Sequence, residues 1–228
     1  IQDVTTQWGV FAIAGPKSRD VLKEVINDAD PDTALSNKRF PWLSARQIEL
    51  GMCPVNAIRV AYTGELGWEL HHPIEMQNYL FDLLEKAGEK HGMKLVGARA
   101  QNWLRLEKSY RAFGTELGRD ATPAEADLPR FIDLSKDFHG KDAMVETGVR
   151  VKCCTLLIDG PADADPWGRE VLYTPEGERV GRLTSGGYSV AFEKSIGMGY
   201  VKPELAVPGT KLKVKIMDQL WDAEVTVD

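Results

Sequence analysis

The residues that could act together chemically stand in one short segment, Arg59-Val60-Ala61-Tyr62-Thr63-Gly64-Glu65-Leu66-Gly67-Trp68-Glu69-Leu70. Gly64 and Gly67 permit a tight reversal, which predicts a hairpin with Tyr62 on one side and Glu69 on the other. If its strands pair across the turn, the phenol and the carboxylate converge on one cavity. A carboxylate held there can accept two parallel hydrogen bonds from a ring that carries adjacent N–H and NH2 donors. The competing readings are an exposed strand carboxylate with a surface partner for Glu69, and a core tyrosine with a satisfied hydroxyl for Tyr62.

Other residue types offer less. His71 and His72 are neighbours on a strand, so their rings point to opposite faces and cannot chelate one metal. The four histidines are read as surface residues or as residues with both ring nitrogens satisfied, and no metal site is expected. Gly186-Gly187 and the pair Gly197 and Gly199 lack the strand-GxGxxG-helix context of a dinucleotide site and are read as turns between strands. Cys53, Cys153 and Cys154 form no CxxC, which suits reduced thiols of an intracellular protein.

Composition narrows the partners. The chain has 228 residues, with 28 Lys and Arg against 34 Asp and Glu, a formal charge of −6. An acidic balance argues against nucleic acid, whose binding rests on basic side chains neutralising phosphates. No apolar run approaches the roughly 18 residues of a membrane helix, and the first residues have no signal-peptide pattern. A cytoplasmic location is expected, or the mitochondrial matrix in a eukaryote. The first residue is Ile1 and a strand-like run begins at Trp8, so a piece of a longer chain is expected.

The elements that must position the segment follow from periodicity. Trp8 to Ala14 reads as a strand, stopped by Gly15-Pro16. A helix then opens near Ser18 or Asp20 with Val21, Leu22, Val25 and Ile26 on one face. Asp28 to Asp32 reads as a polar loop. Strands are expected at 45–50, 55–61 and 68–71, then an amphipathic helix over 75–91 and a second helix over 98–109. After Lys141 helical patterns stop. Strands are expected at 152–158, 170–173, 179–184, 196–201, 211–216 and 220–227, separated by Gly, Pro and Asp turns. The expected fold class is α+β: an α/β domain of mixed or antiparallel sheet with flanking helices over 1–150, then a small antiparallel β-barrel over 151–228.

The segment from Arg59 to Leu70 resembles the YTGExGxE hairpin of the aminomethyltransferase family, the glycine cleavage T-protein and its relatives. Asn102-Trp103-Leu104-Arg105-Leu106-Glu107-Lys108-Ser109-Tyr110-Arg111-Ala112-Phe113-Gly114 resembles the family's second signature. Thr122-Pro123-Ala124-Glu125-Ala126, Asp137-Phe138-His139-Gly140-Lys141, Thr184 to Ser189 and Gly197 to Val201 resemble further motifs, in family order. Phe40-Pro41-Trp42 and the wordings GELGWEL and RLEKSYRAFG are closest to the folate regions of dimethylglycine and sarcosine dehydrogenases.

The resemblance implies tetrahydrofolate as cofactor, and capture of one carbon from a small N-methyl amino acid or aminomethyl donor to give 5,10-methylenetetrahydrofolate. It implies that Glu69 clamps the pterin and that Tyr62 lines its pocket. The T-protein's folate-binding arginine falls at Gln101 here. Arg99, two residues earlier, is the arginine offered in its place, against a solvated helix arginine. The family's catalytic aspartate precedes the part that matches Trp8. Asp20, Asp28 and Asp120 do not occupy its motif, so the catalytic residue is left unknown and the fragment alone is expected to be inactive. FAD would be present only with a flavin dehydrogenase domain upstream. The alternatives left open are a free T-protein and a non-catalytic folate-binding module. A tRNA-modifying relative is disfavoured because the KGCYxGQE-type motif is missing.

Overall fold

The computed structural model describes residues 1–161 and 163–226. It divides into two compact units, residues 1–97 and 98–228. In the first, β1 (Trp8–Ala14), β2 (Ala45–Leu50), β3 (Cys53–Ile58) and β4 (Gly67–Pro73) form an antiparallel sheet in the order β1-β4-β3-β2. Helices α1 (Ser18–Val25) and α3 (Gln77–Glu89) place Val21, Leu22, Leu80 and Leu84 against Ile13, Val55, Trp68 and Leu70. Because strand side chains alternate, the residues between these face the other way. Val10 and Ala12 of β1, Asn56 and Ile58 of β3, and Glu69 and His71 of β4 therefore share the outer face.

Two helices lie where none was expected. Asp30 accepts a hydrogen bond from the Thr33 N–H at 3.1 Å and Pro31 takes the first helical position, so α2 (Pro31–Ala34) forms where a polar loop was predicted. In the second unit α5 (Lys141–Thr147) is bounded by Gly140 and Gly148, at φ of 89° and 65°, and it buries no residue. A helix without an apolar face leaves no periodic signal.

The second unit opens with α4 (Ala98–Glu107) and continues as a closed antiparallel barrel in the order β10-β5-β8-β7-β6-β9. The strands are β5 (Lys152–Ile158), β6 (Val171–Tyr173), β7 (Arg179–Ser189), β8 (Lys194–Val201), β9 (Lys211–Ile216) and β10 (Gln219–Val225). Leu156, Ile158, Leu172, Leu183, Val214 and Ile216 are among the residues filling its core. The last expected strand reached Val227, which lies outside the described residues.

Gly186, Gly187, Gly197 and Gly199 are not in turns. They pair inside β7 and β8, with Gly186 opposite Gly197 and Leu183 opposite Gly199. The reason for glycine is close approach: a Cβ on Gly199 would lie 2.5 Å from the Arg182 carbonyl oxygen and 3.0 Å from Leu183 Cα. The adjoining pairing shifts register between Leu183 and Ser185. Among the described residues no helix is long and apolar enough to cross a membrane, and no group of three His, Cys, Asp or Glu is placed to hold a metal ion.

One buried carboxylate ties the stretch after α4 to the edge of the barrel. Glu125 accepts from Arg150 Nε at 2.8 Å and Nη2 at 3.1 Å, and from the backbone N–H groups of Thr122 and Arg150. The Arg150 bond, with those N–H groups, outweighs burial and lowers the carboxyl from 4.5 to about 2. Its own carbonyl accepts from the Cys153 N–H at 2.8 Å, at the start of β5.

Two outcomes follow. Gly199→Ala is expected to cost about 1–3 kcal/mol, because the atoms in its way are backbone. Thermal melting checks this, and an unchanged midpoint would show that the strand contact can give. A carboxyl whose folded pKa is depressed contributes stability above its unfolded value and loses it as pH falls through the folded one. Chemical denaturation at stepped pH should therefore show wild type losing unfolding free energy between 4.5 and about 2, with a shallower loss in Glu125→Gln.

Candidate functional site

The segment singled out in the sequence reverses through a longer connection than the tight turn expected after a strand reaching Ala61. β3 ends at Ile58 and β4 begins at Gly67, so Tyr62 sits in the connecting loop 59–66 and Glu69 in the strand. The loop is held at both ends. Arg59 Nη1 donates to the Phe40 carbonyl at 2.6 Å, and the Leu66 carbonyl accepts from the Gly15 N–H at 2.8 Å and lies 2.9 Å from Ser18 Oγ. Between those anchors Tyr62 is 38% exposed.

β4 is an inner strand, and its alternation separates core from site. Trp68, Leu70 and His72 are fully buried, while Glu69 and His71 point to the outer face. Glu69 pairs in register with Ala12 and Ile58, and its side chain is 41% exposed. Its Oε2 lies 3.3 Å from His71 Nε2. Among the described residues Oε1 has no hydrogen-bond partner. Beside it on the same face an open groove of about 520 Å3 is lined by residues including Trp8, Arg46, Asn56, Ile58 and His71. Neither this groove nor an adjoining cleft of about 480 Å3 near Asp28, Arg39 and Glu49, which shares Trp8, Arg46 and Asn56 with it, is lined by Tyr62 or Glu69. A carboxylate on an open sheet face with one oxygen uncommitted can accept from two donors presented edge-on.

The histidines divide as strand geometry requires, but one was misread. His72 is buried, its ring stacked on Phe11 at 4.8 Å, with Nδ1 2.9 Å from the Leu70 carbonyl and Nε2 unpartnered. It is therefore neither a surface residue nor a fully satisfied one. Gly9 makes room for it, since a Cβ there would lie 2.6 Å from that Nε2.

Arg99, in the second unit, is exposed but not merely solvated. Its guanidinium stacks on Trp167 at 4.4 Å from the ring centre and lies 5.9 Å from Trp103. Trp103 packs edge-on against Tyr188 at 6.5 Å, in a space that a side chain on Gly187 would fill.

Arg105 lies in the segment Asn102 to Gly114, and nothing in the sequence assigns it a role. In the structure it is the hub of the second unit. It is 1% exposed and donates to Asn102 Oδ1, the Tyr110 carbonyl, Glu116 Oε2 at 2.8 Å and Ser185 Oγ at 2.6 Å. Glu116 also accepts from Thr184 Oγ1, Ser185 Oγ and the Ala112 N–H. Burial opposes its ionisation, yet Arg105 and these donors prevail and hold its carboxyl below the usual range. Tyr200 donates to the Glu116 carbonyl at 2.7 Å, and burial foremost pushes that phenol up. Glu107 accepts from Ser189 Oγ and the Ala191 N–H. The available signal was the spacing of Asn102, Arg105, Leu106 and Ser109, one helical face carrying mostly polar residues.

Residues 1–136 match the GCVT N-terminal domain, and residues 152–228 match the glycine cleavage T-protein C-terminal barrel domain. The chain is 37% identical to human mitochondrial dimethylglycine dehydrogenase over 99% of its own length and 26% of that protein. It is 31% identical to an aminomethyltransferase of Natranaerobius thermophilus, covering 99% of this chain and 60% of the relative. The crystal structure of the glycine cleavage system aminomethyltransferase T from Bartonella henselae superposes with a TM-score of 0.81 at 25% identity, covering 96% of this chain and 58% of that one. The chain thus spans less than two thirds of each of these relatives. Matched in both of its domains and in its fold, it belongs to the glycine cleavage T-protein, or aminomethyltransferase, family.

Proposed function

We propose that this chain is the tetrahydrofolate-binding region of a one-carbon transferase, with Glu69 as the pterin clamp. The observation that carries the reading is the Glu69 carboxylate on the outer face of an inner strand, next to His71, which lines an open groove, and with one oxygen uncommitted among the described residues. Tetrahydrofolate supplies the nitrogens that capture the carbon, giving 5,10-methylenetetrahydrofolate. The residues of this chain bind and orient it. Glu69 accepts from the adjacent N–H and NH2 of the pterin edge, which fixes the ring in its plane. Tyr62, in the loop anchored at Phe40 and Gly15, lines the ring pocket. Arg99 is the further folate contact that the resemblance offers, and within its own unit Trp167 sets the orientation of its guanidinium.

The carbon donor is a small N-methyl amino acid or an aminomethyl group, and the parent is a demethylating dehydrogenase of the dimethylglycine or sarcosine type. The likeness to human mitochondrial dimethylglycine dehydrogenase over 99% of this chain supports that choice. FAD is assigned no residue here and would belong to a flavin domain elsewhere in such a parent. No proton-transfer residue is assigned either. The family matches at 1–136 and 152–228 support a functional division near residue 150. The mitochondrial matrix, or the cytoplasm in a prokaryote, is the proposed location.

Titration of wild type and Glu69→Ala with a reduced folate tests the reading. The substitution is expected to weaken binding by more than about 2 kcal/mol, about 30-fold in Kd, the scale of charge-assisted bonds lost from a site that becomes covered on binding. Equal affinities would remove Glu69 from the site.

A further inference from the structure

We propose that His71 is a positioning residue for the Glu69 carboxylate, so that folate binding weakens when His71 is protonated. The inference rests on the reading of Glu69 as the pterin clamp and adds a control on it. Residues 69 and 71 lie two apart on β4 and therefore share the outer face, where the imidazole reaches back to place Nε2 3.3 Å from Oε2. Both side chains are partly covered, at 32% and 41% exposure, so their interaction is screened less than that of a pair on open surface.

Across the strands His71 faces Val10 and Asn56, and Glu69 faces Ala12 and Ile58, all uncharged. From β2, Arg46 lines the same groove as His71, and Glu49, opposite Pro54, is the carboxylate that this strand puts on the outer face, where it accepts from Asn27. His72, the next residue, lies on the opposite face and takes no part.

The two charge states of His71 act differently on the carboxylate. Neutral, it offers one N–H to a group with about four acceptor positions, which orients the carboxylate and leaves room for two further donors. Protonated, it puts a full cation against Oε2 and compensates the charge that a pterin edge would otherwise meet. Ligand donors must then compete with an internal partner already in place. By reciprocity, a ligand seated on Glu69 disfavours the proton on His71, and binding releases protons at mildly acidic pH.

The test is calorimetric titration of this 228-residue chain with 5-formyltetrahydrofolate from pH 5.5 to 8.0, in buffers of different ionisation heat, for wild type, His71→Gln and Glu69→Gln. Wild type is expected to lose at least about fivefold in affinity between pH 7.5 and 5.5, with proton release on binding at the acidic end of that range. His71→Gln keeps a donor near the ring nitrogen and cannot take a charge. It is expected to flatten the profile and abolish the release. The same pH slope in wild type and His71→Gln, with Glu69→Gln impaired, overturns the His71 role and leaves the clamp standing. Glu69→Gln binding like wild type at pH 7.5 overturns the clamp and this inference with it. A ligand-free check uses the His71 ring signals in NMR at fixed pH: Glu69→Gln should displace them, and unmoved signals refute the pairing.

Discussion

The alternation of β4 is the constraint on which the first unit depends. This strand pairs with β1 on one side and β3 on the other, so a slip of one residue would have to be made against two neighbours at once. Such a slip would carry Trp68, Leu70 and His72 out of the core and put Glu69 and His71 into it. The burial of a tryptophan, a leucine and a stacked imidazole thus determines where the carboxylate points. The orientation of the polar residues is enforced by the apolar ones between them.

In the second unit the corresponding device is polar. Arg105 and Glu116 are both buried, and each is surrounded by partners for its remaining donors or lone pairs. A buried ion pair contributes little to stability over a well-packed apolar substitute, but removing one partner strands the other charge at high cost. Such a network therefore specifies how α4, the stretch after it, β7 and β8 come together. Apart from Glu116, its members Asn102, Arg105, Thr184 and Ser185 fall within the segments Asn102 to Gly114 and Thr184 to Ser189, which resemble motifs of the family. Those wordings are accounted for by packing as much as by any ligand.

This division explains what could be read beforehand. β1, β2, β5 and β9 were legible to the residue because an apolar run or an alternation is bounded by turn residues. The ends of β3 and β7 were not. β3 stops at Ile58 although Val60 and Ala61 continue the apolar pattern, because loop anchoring by Arg59 and Leu66 is a tertiary effect. β7 runs through Gly186 and Gly187, where glycine marks a close approach and not a turn. Glu69 was identified by its motif, whereas the partnership with His71 needed only a count of two along a strand. Arg105 was hidden because a charge in a helix is ordinarily assigned to solvent.

The three buried thiols have a practical use that follows from their distribution. Cys53 belongs to the core of the first unit, Cys154 to the barrel interior, and Cys153 to the small cluster with Leu106, Ile196 and Met198. Adjacent residues of one strand thus report on opposite sides of the barrel wall, and burial pushes the Cys53 thiol up, which slows its chemistry further while it is folded away. Each apolar cluster therefore contains its own natural label, and the order in which the three sulfurs become open to an alkylating reagent would chart which part of the molecule loosens first.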